Sequence, residues 1–208
     1  VVPFTHFALL ASEYMHLHGV TAEQVAKVAF KNHRNGASNQ YAQRQKVRSM
    51  EEILAEPISG AMTRLQCCPV GEGAAAAVIA SEEGIRHLDL DRSRAVRINA
   101  SVTRTEALYG AGVGIDAALT AETGEAAFNQ AGIEPSDVDV LEVHDAFAIE
   151  ELLYAEALGL CPPGEAASLI ESGEFDIGGR CALSPSGGLL AMGHPIGPTG
   201  TGQVVEVT

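Results

Sequence analysis

The chain lacks a long apolar run: none of its stretches approaches the roughly 20 residues that span a bilayer, so no membrane-spanning helix is expected. The longest, Ala74–Ala80, is mostly alanine and reads as a buried packing segment. Cysteine is scarce too. Cys67, Cys68, Cys161 and Cys181 have neither the density of a disulfide scaffold nor the paired C-x-x-C spacing of a metal site. A reducing, cytoplasmic setting with no metal and no bound cofactor follows as the expectation. From Thr105 onward cations are almost missing, with Arg180 alone against seventeen acids. At a net charge of −14 most of the surface would repel nucleic-acid phosphates, and no nucleic-acid partner is expected. The chain opens Val-Val-Pro with no initiator methionine and no signal-peptide pattern, so this start is expected not to be that of the gene product. Internal repeats and low-complexity tracts are absent as well.

What is present describes a close-packed α/β protein: 208 residues, 46% of them apolar, with 22 glycines. Phe7, Leu10, Tyr14 and Leu17 recur at helical spacing, and Gly19 stops that helix. Thr21 is a fresh N-cap for a second helix with its stripe at Val25, Val28 and Ala29, ending near Asn32. The stretch from Asn35 to Glu56 carries little apolar periodicity beyond a short Met50–Leu54 helix, and a loop that long suggests a binding task. Further along, Ala74–Ser81 predicts a buried strand or helix, Ala95–Val102 a strand and Asp116–Gly132 a helix. Val138, Val140 and Val143 mark another strand, and Ile149, Leu152, Leu153 and Leu158 the helix after it, closed by Gly159. A turn-rich stretch, Cys161–Ser186, precedes a glycine loop, and Thr199–Thr208 begins a last helix. This alternation implies a mostly parallel or mixed sheet covered by helices.

Lys27, Lys31, Arg34, Arg44, Lys46 and Arg48 form a run of six cations with no acid among them. Such a run describes either a solvated surface or a local anion site on an otherwise acidic protein.

Two short strings carry the chemistry. V-H-D-A-F at Val143–Phe147 places His144 where a strand pattern becomes a helix pattern, at the carboxyl edge where open α/β sheets bind ligands. The helix start beyond it offers unpaired N–H groups to negative charge. S-P-S-G-G-L-L-A-M-G-H-P-I-G-P-T-G at Ser184–Gly200 places His194 in a turn where glycines permit close backbone approach and Pro195 and Pro198 direct the path. Histidine titrates nearest neutrality, so two imidazoles delivered by separate turns suit a base and a hydrogen-bond donor on one substrate. Taken singly, each also describes a structural residue: a histidine satisfied at a sheet edge, or a tight corner.

Together with F-A-L-L-A-S-E-Y-M-H-L-H-G-V-T at Phe7–Thr21, N-G-A-S-N-Q-Y-A-Q at Asn35–Gln43 and C-C-P-V-G-E-G-A-A-A at Cys67–Ala76, these strings resemble the thiolase superfamily in its sterol-carrier-protein-type and archaeal-like branch. The resemblance covers nearly the whole chain. It implies a thiolase-like layered α/β fold, here as a partial subunit: a helical and loop region over residues 1–66, then a C-terminal thiolase-type domain over residues 67–208, incomplete at its end. It also implies an acyltransferase acting on acyl-CoA thioesters, by 3-oxoacyl-CoA thiolysis or Claisen condensation, with coenzyme A as substrate or product.

In that pattern His144 stands where related chains carry the asparagine of Asn-Glu-Ala-Phe and helps hold an enolate or thioester oxygen. His194 takes the proton of a nucleophilic cysteine supplied by a first half that has no counterpart here. Cys68 and Gly193 line the substrate channel; Lys46 and Arg48 are expected, from the charge of the basic run on an acidic protein, to meet the phosphates of coenzyme A. Cys67 and Cys68 otherwise read as small buried packing residues. Tyr109 and Gly110 lie in a loop placed near substrate by the family pattern. Ala146 occupies the place that some relatives give to an acid/base cysteine. That departure keeps two alternatives open: a retro-aldolase or acyltransferase of the same fold working with an OB-fold partner subunit, and a non-catalytic lipid-CoA carrier. The family pattern further implies a homodimer or dimer of dimers.

Overall fold

The computed structural model describes residues 2–106 and 115–208; Tyr109 and Gly110 lie outside the described residues. Helix α1 (Pro3–His18) starts with proline in its first turn and ends on Gly19 in the left-handed region, φ 67°. Helix α2 (Ala22–Gly36) begins with a capping box. The Thr21 hydroxyl accepts from the Gln24 N–H while the Gln24 side chain accepts from the Thr21 N–H. It runs four residues beyond the expected end at Asn32, because Lys31, Asn32, His33 and Asn35 are buried among polar partners that the apolar stripe alone did not reveal. Helix α3 (Met50–Leu54) carries the same box on Ser49 and Glu52. A short antiparallel pair follows, β1 (Pro57–Ser59) with β2 (Met62–Thr63).

The part that positions the histidines is parallel. Strand β3 (Val140–Leu141) pairs with β4 (Ala182–Leu183) in the register Val140↔Ala182 and Leu141↔Leu183. Between them lie α6 (Ala148–Ala157), closed by Gly159 at φ 75°, and α7 (Ala166–Ser172), a helix inside the stretch expected to be turns. After β4 come α8 (Gly188–Met192) and α9 (Thr199–Glu206). Helix α2 packs against α6, α7 and α8, and α5 (Ile115–Ala131) against α6. The apolar core joins Ala8, Tyr14, Val28 and Ile53 to Ile149, Leu152, Phe175 and Leu190. One core therefore crosses the boundary expected at residue 66.

Two sequence expectations are corrected. Ala74–Ser81 forms neither strand nor helix, and Val78 is 91% exposed and Ile79 80% exposed. Ala95–Val102 is likewise irregular, with Val96 and Ile98 exposed. Both have strand-like composition, but a strand needs a neighbour for its N–H and C=O groups, and neither segment has a ladder partner among the described residues. Between them sit α4 (Glu82–His87), capped by Ser81, and a 3-10 turn at Arg92–Arg94, neither with a buried residue. The sheets among the described residues are thus the two small pairs, with helices packed over them.

Candidate active site

The two histidine-bearing segments leave the same end of the parallel pair. His144 lies three residues after β3, and Ser184, the first residue of the glycine loop, follows β4 and donates its N–H to the Leu141 carbonyl at 2.8 Å. The imidazoles meet edge to face, with centroids 4.8 Å apart and an interplanar angle of 86°. Their Nε2 atoms are 3.4 Å apart.

Each ring is held from its far side. His144 Nδ1 lies 3.3 Å from Glu150 Oε1, which also accepts the Tyr154 hydroxyl at 3.0 Å, while Glu150 Oε2 accepts the Phe147 N–H at 2.9 Å. Glu150 is buried at the third position of α6, where a carboxylate caps the helix start and meets its positive end. His194 Nδ1 lies 2.9 Å from Thr199 Oγ1, at the first residue of α9. Burial, then the neighbouring His144, lowers the His194 pKa below the usual imidazole value.

Beneath the His144 turn, Asp145 is fully buried. Its Oδ1 accepts the Leu189 N–H at 2.7 Å and its Oδ2 accepts Asn32 Nδ2 at 2.7 Å. Asn32 also donates to Glu151 Oε2 at 2.7 Å, and Glu151 pairs with the buried Lys31 at 2.9 Å. Lys31 donates onward to the Leu183 carbonyl. Burial, then Glu151, pushes the Asp145 carboxyl well above the ordinary carboxylate range. Gly188 packs so closely here that a Cβ would lie 2.0 Å from Asp145 Oδ2, at a φ of 57°. Asp145 and Asn32 therefore tie the first histidine turn to the helix that leads into the second.

The expected site residues are distributed unevenly. His144 and His194 come together, and Gly193, at φ 113°, turns the chain directly before His194 with Gln43 packed against it. Cys68 joins them from a third segment, its N–H donating to the Ala146 carbonyl at 2.8 Å beside a Cys67–Phe147 bridge. Burial, then Asp145 and Glu150, raises the Cys68 thiol, and burial pushes Cys67 up to about 11. At neutrality both thiols stay protonated, which suits lining residues rather than acyl carriers.

Lys46 and Arg48 are held elsewhere, both on Glu52 Oε1, at 3.0 and 3.2 Å. Lys31 is buried, Arg34 pairs with Asp176 at 2.6 Å, and Arg44 donates to the carbonyls of Cys67 and Leu190. Within the run Lys31 and Arg44 fasten the interior, while Arg34 and Lys46 pair with acids at the surface. A cavity of about 670 Å³ opens beside the His194 loop, lined by Tyr41, Gln43, Gly193, Pro195 and Thr199. Among the described residues no group of three His, Cys, Asp or Glu side chains is placed to hold a metal ion.

Sequence reasoning overlooked Glu150, Thr199, Asp145 and Asn32. Glu150 and Thr199 left a legible trace, lying six residues after His144 and five after His194, where helix starts supply caps. Asn32 lies far from both motifs in the chain and left none.

Helices over small sheets, with paired imidazoles at the carboxyl end of a parallel strand pair, define an α/β protein of the thiolase-like fold. Residues 114–208 match the family described as "Thiolase C-terminal domain-like". The chain is 40% identical to sterol carrier protein 2 of Oryctolagus cuniculus over 209 residues, 97% of this chain and 38% of that protein. It is 38% identical to the benzoylsuccinyl-CoA thiolase subunit BbsB of Thauera aromatica, over 95% of this chain and 51% of that one. The solved Ltp2-ChsH2(DUF35) aldolase superposes with a TM-score of 0.81 at 25% identity, covering 99% of this chain and 55% of its own. The chain belongs to the thiolase superfamily, among the sterol-carrier-protein-type thiolases and lipid-transfer proteins. It spans about 38% to 51% of the length of these curated relatives.

Proposed function

We propose that this chain supplies the enolate-handling half of a thiolase-type enzyme that makes or breaks a carbon–carbon bond next to a coenzyme A thioester. The observation that carries the reading is the meeting of His144 and His194 at Nε2, each braced from behind, beside a cavity of about 670 Å³. A pocket of that size is in the ordinary range for small-molecule sites. A carrier needs a cavity but has no use for two braced imidazoles.

In the thiolytic direction a cysteine from outside this chain attacks the 3-oxo carbon of the acyl-CoA. The bond between the two acyl carbons breaks, its electron pair becomes an enolate that takes up a proton and leaves as acetyl-CoA, and coenzyme A then collects the shortened acyl group while its thiol proton returns to the cysteine. His194 receives the thiol proton. His144 faces the enolate oxygen, where one well-placed donor is worth about 3–4 kcal/mol. Coenzyme A approaches past the Lys46–Arg48 pair, where two cations over one carboxylate leave a single positive charge to meet its phosphates.

Single-turnover reactions of the full-length protein with a labelled acyl-CoA test this. His194→Ala is expected to abolish acyl trapping, because an unassisted thiol with a pKa of about 8.5 is mostly protonated at neutrality. His144→Ala is expected to keep trapping within about tenfold while slowing the carbon–carbon step by about 10²–10³. Unchanged kinetics in both variants would leave a lipid-CoA carrier. Reversal of Lys46 and Arg48 to glutamate is expected to weaken coenzyme A binding at low salt; an unchanged calorimetric affinity removes them from the site.

Ala146 favours a second reading. With no thiol in that place of the motif, and with likeness to a structure described as an aldolase, retro-aldol cleavage alongside a partner subunit is the competing chemistry. Release of a free carbonyl product from a 3-hydroxyacyl-CoA, with no acyl trapping, would establish it in place of thiolysis.

A further inference from the structure

Arg44 is a guanidinium without an acid to pair with. Its Nη1 donates to the Cys67 carbonyl at 2.9 Å and the Leu190 carbonyl at 3.0 Å, and among the described residues no carboxylate lies within ion-pair distance of it. A guanidinium is a rigid fork of donors, so the Nε and Nη2 side of this one is left without a protein acceptor. Burial, then Arg64, lowers its pKa below the ordinary guanidinium value, and Arg48 acts in the same direction. Arg48 has an open donor of its own, because its Nε is buried with no acceptor. A buried donor left unpaired costs free energy, which an anion seated beside it recovers.

The charges around these two forks do not cancel. Lys46 and Arg48 share Glu52 Oε1, and Arg64 holds Glu56 through bonds of 2.6 and 2.8 Å. Four cations with two carboxylates leave an excess of two positive charges, on a chain whose net charge is −14. His33 beside them adds none, since burial lowers it to about 4 and leaves it neutral at physiological pH. A phosphate monoester matches that excess: it carries about two negative charges at neutrality on one phosphorus and offers three acceptor oxygens. A carboxylate brings one charge, and a phosphate diester one per phosphorus. The place in the fold suits a substrate group. The Arg44 and Gln43 N–H groups donate to the Ala191 and Met192 carbonyls at 2.9 and 3.1 Å, along the helix that leads to His194. Arg44 therefore stands between Gln43, which lines the cavity, and Lys46, whose side chain is 65% exposed.

We infer that Arg44 and Arg48 together hold the phosphate monoester on the ribose of coenzyme A, through the open fork of Arg44 and the buried Nε of Arg48, with Lys46 and Arg64 shaping the surrounding field. The inference rests on the acyl-CoA reading proposed above. It assigns the principal contact to Arg44, whose charge no acid offsets, rather than to Lys46.

Calorimetric titration of the full-length protein with coenzyme A and with dephospho-coenzyme A, which lacks only that phosphate, tests this. At low salt the wild type is expected to bind coenzyme A about tenfold or more tightly, with the gap narrowing as ionic strength rises. Arg44→Gln is expected to close most of the gap by weakening coenzyme A alone, the dephospho form binding as in wild type. Equal affinity of the wild type for the two ligands overturns the inference. So does an Arg44→Gln variant that weakens both alike, because Arg44 is then only a brace for the Cys67 and Leu190 carbonyls. Should Arg44→Gln not fold, Arg48→Gln must narrow the gap, and an unchanged gap there overturns the inference. Adenosine 3′-phosphate separates the site from the reading it rests on. If it binds wild type but not Arg44→Gln, while His144→Ala and His194→Ala leave acyl-CoA kinetics unchanged, the phosphate site stands and the thiolase reading falls.

Discussion

The two histidine turns are built by opposite means. The His144 turn is braced by charge: Asp145, Glu150 and Glu151 are all buried behind it, with Lys31 and Asn32 reaching them from α2. The His194 turn is braced by backbone shape: Gly193 at φ 113°, Pro195, Pro198 and a single hydroxyl from Thr199. One position depends on tertiary contacts and resists local change. The other depends on local dihedral preferences and yields to it.

Breaking the charged side is expected to have the largest effect. Lys31→Met leaves Glu151 buried without its cation and should cost about 3–5 kcal/mol, read from urea unfolding. A loss below about 1 kcal/mol would mean that the buried network does not brace the turn.

Acid probes the polar residues buried on α2. Burial lowers His33 of α2 to about 4, with its Nε2 on the Leu65 carbonyl at 3.2 Å. A folded pKa depressed below the unfolded value contributes stability that is complete above pH 6.5 and is lost as pH falls toward 4. The loss is about 3 kcal/mol at 1.36 kcal/mol per unit. Glu142, raised by burial to about 6, acts in the opposite sense: its contribution is complete below pH 4.5 and lost as pH rises through 6. His33→Asn should flatten the acid side of a stability profile, and a slope unchanged from wild type between pH 6.5 and 4 would argue against His33 as its source.

The backbone-shaped side should respond more weakly. Thr199→Val removes one hydrogen bond and is expected to cost about 1 kcal/mol, with His194 free to exchange tautomers in NMR. A cost matching that of Lys31→Met would erase the contrast between the turns. Smallest of all is Val78→Asp, expected within about 0.5 kcal/mol because that side chain is 91% exposed in this chain.

The legible parts of the fold were those with local causes. The helix stop at Gly19, the N-cap at Thr21, the short Met50–Leu54 helix, the α5 segment and the turn at Gly159 all follow from neighbours within one helical turn. Ala74–Ser81 and Ala95–Val102 misled for the converse reason. Composition marks a segment able to be a strand, but pairing is a property of two segments. The partners of the basic run were not legible: its charges are divided among Glu151, Asp176, Glu52 and backbone carbonyls by folding.

The sequence by itself determined the superfamily and the two turns that carry imidazoles, because glycine, proline and capping residues act through dihedral limits and hydrogen bonds a few residues long. Only the tertiary structure decided that those imidazoles touch, fifty positions apart in the chain, and that Glu150 and Thr199 stand behind them. Register between β3 and β4 and the buried contacts of α2 bring them there. Such contacts depend on close packing among distant segments, and no local pattern of residues encodes that.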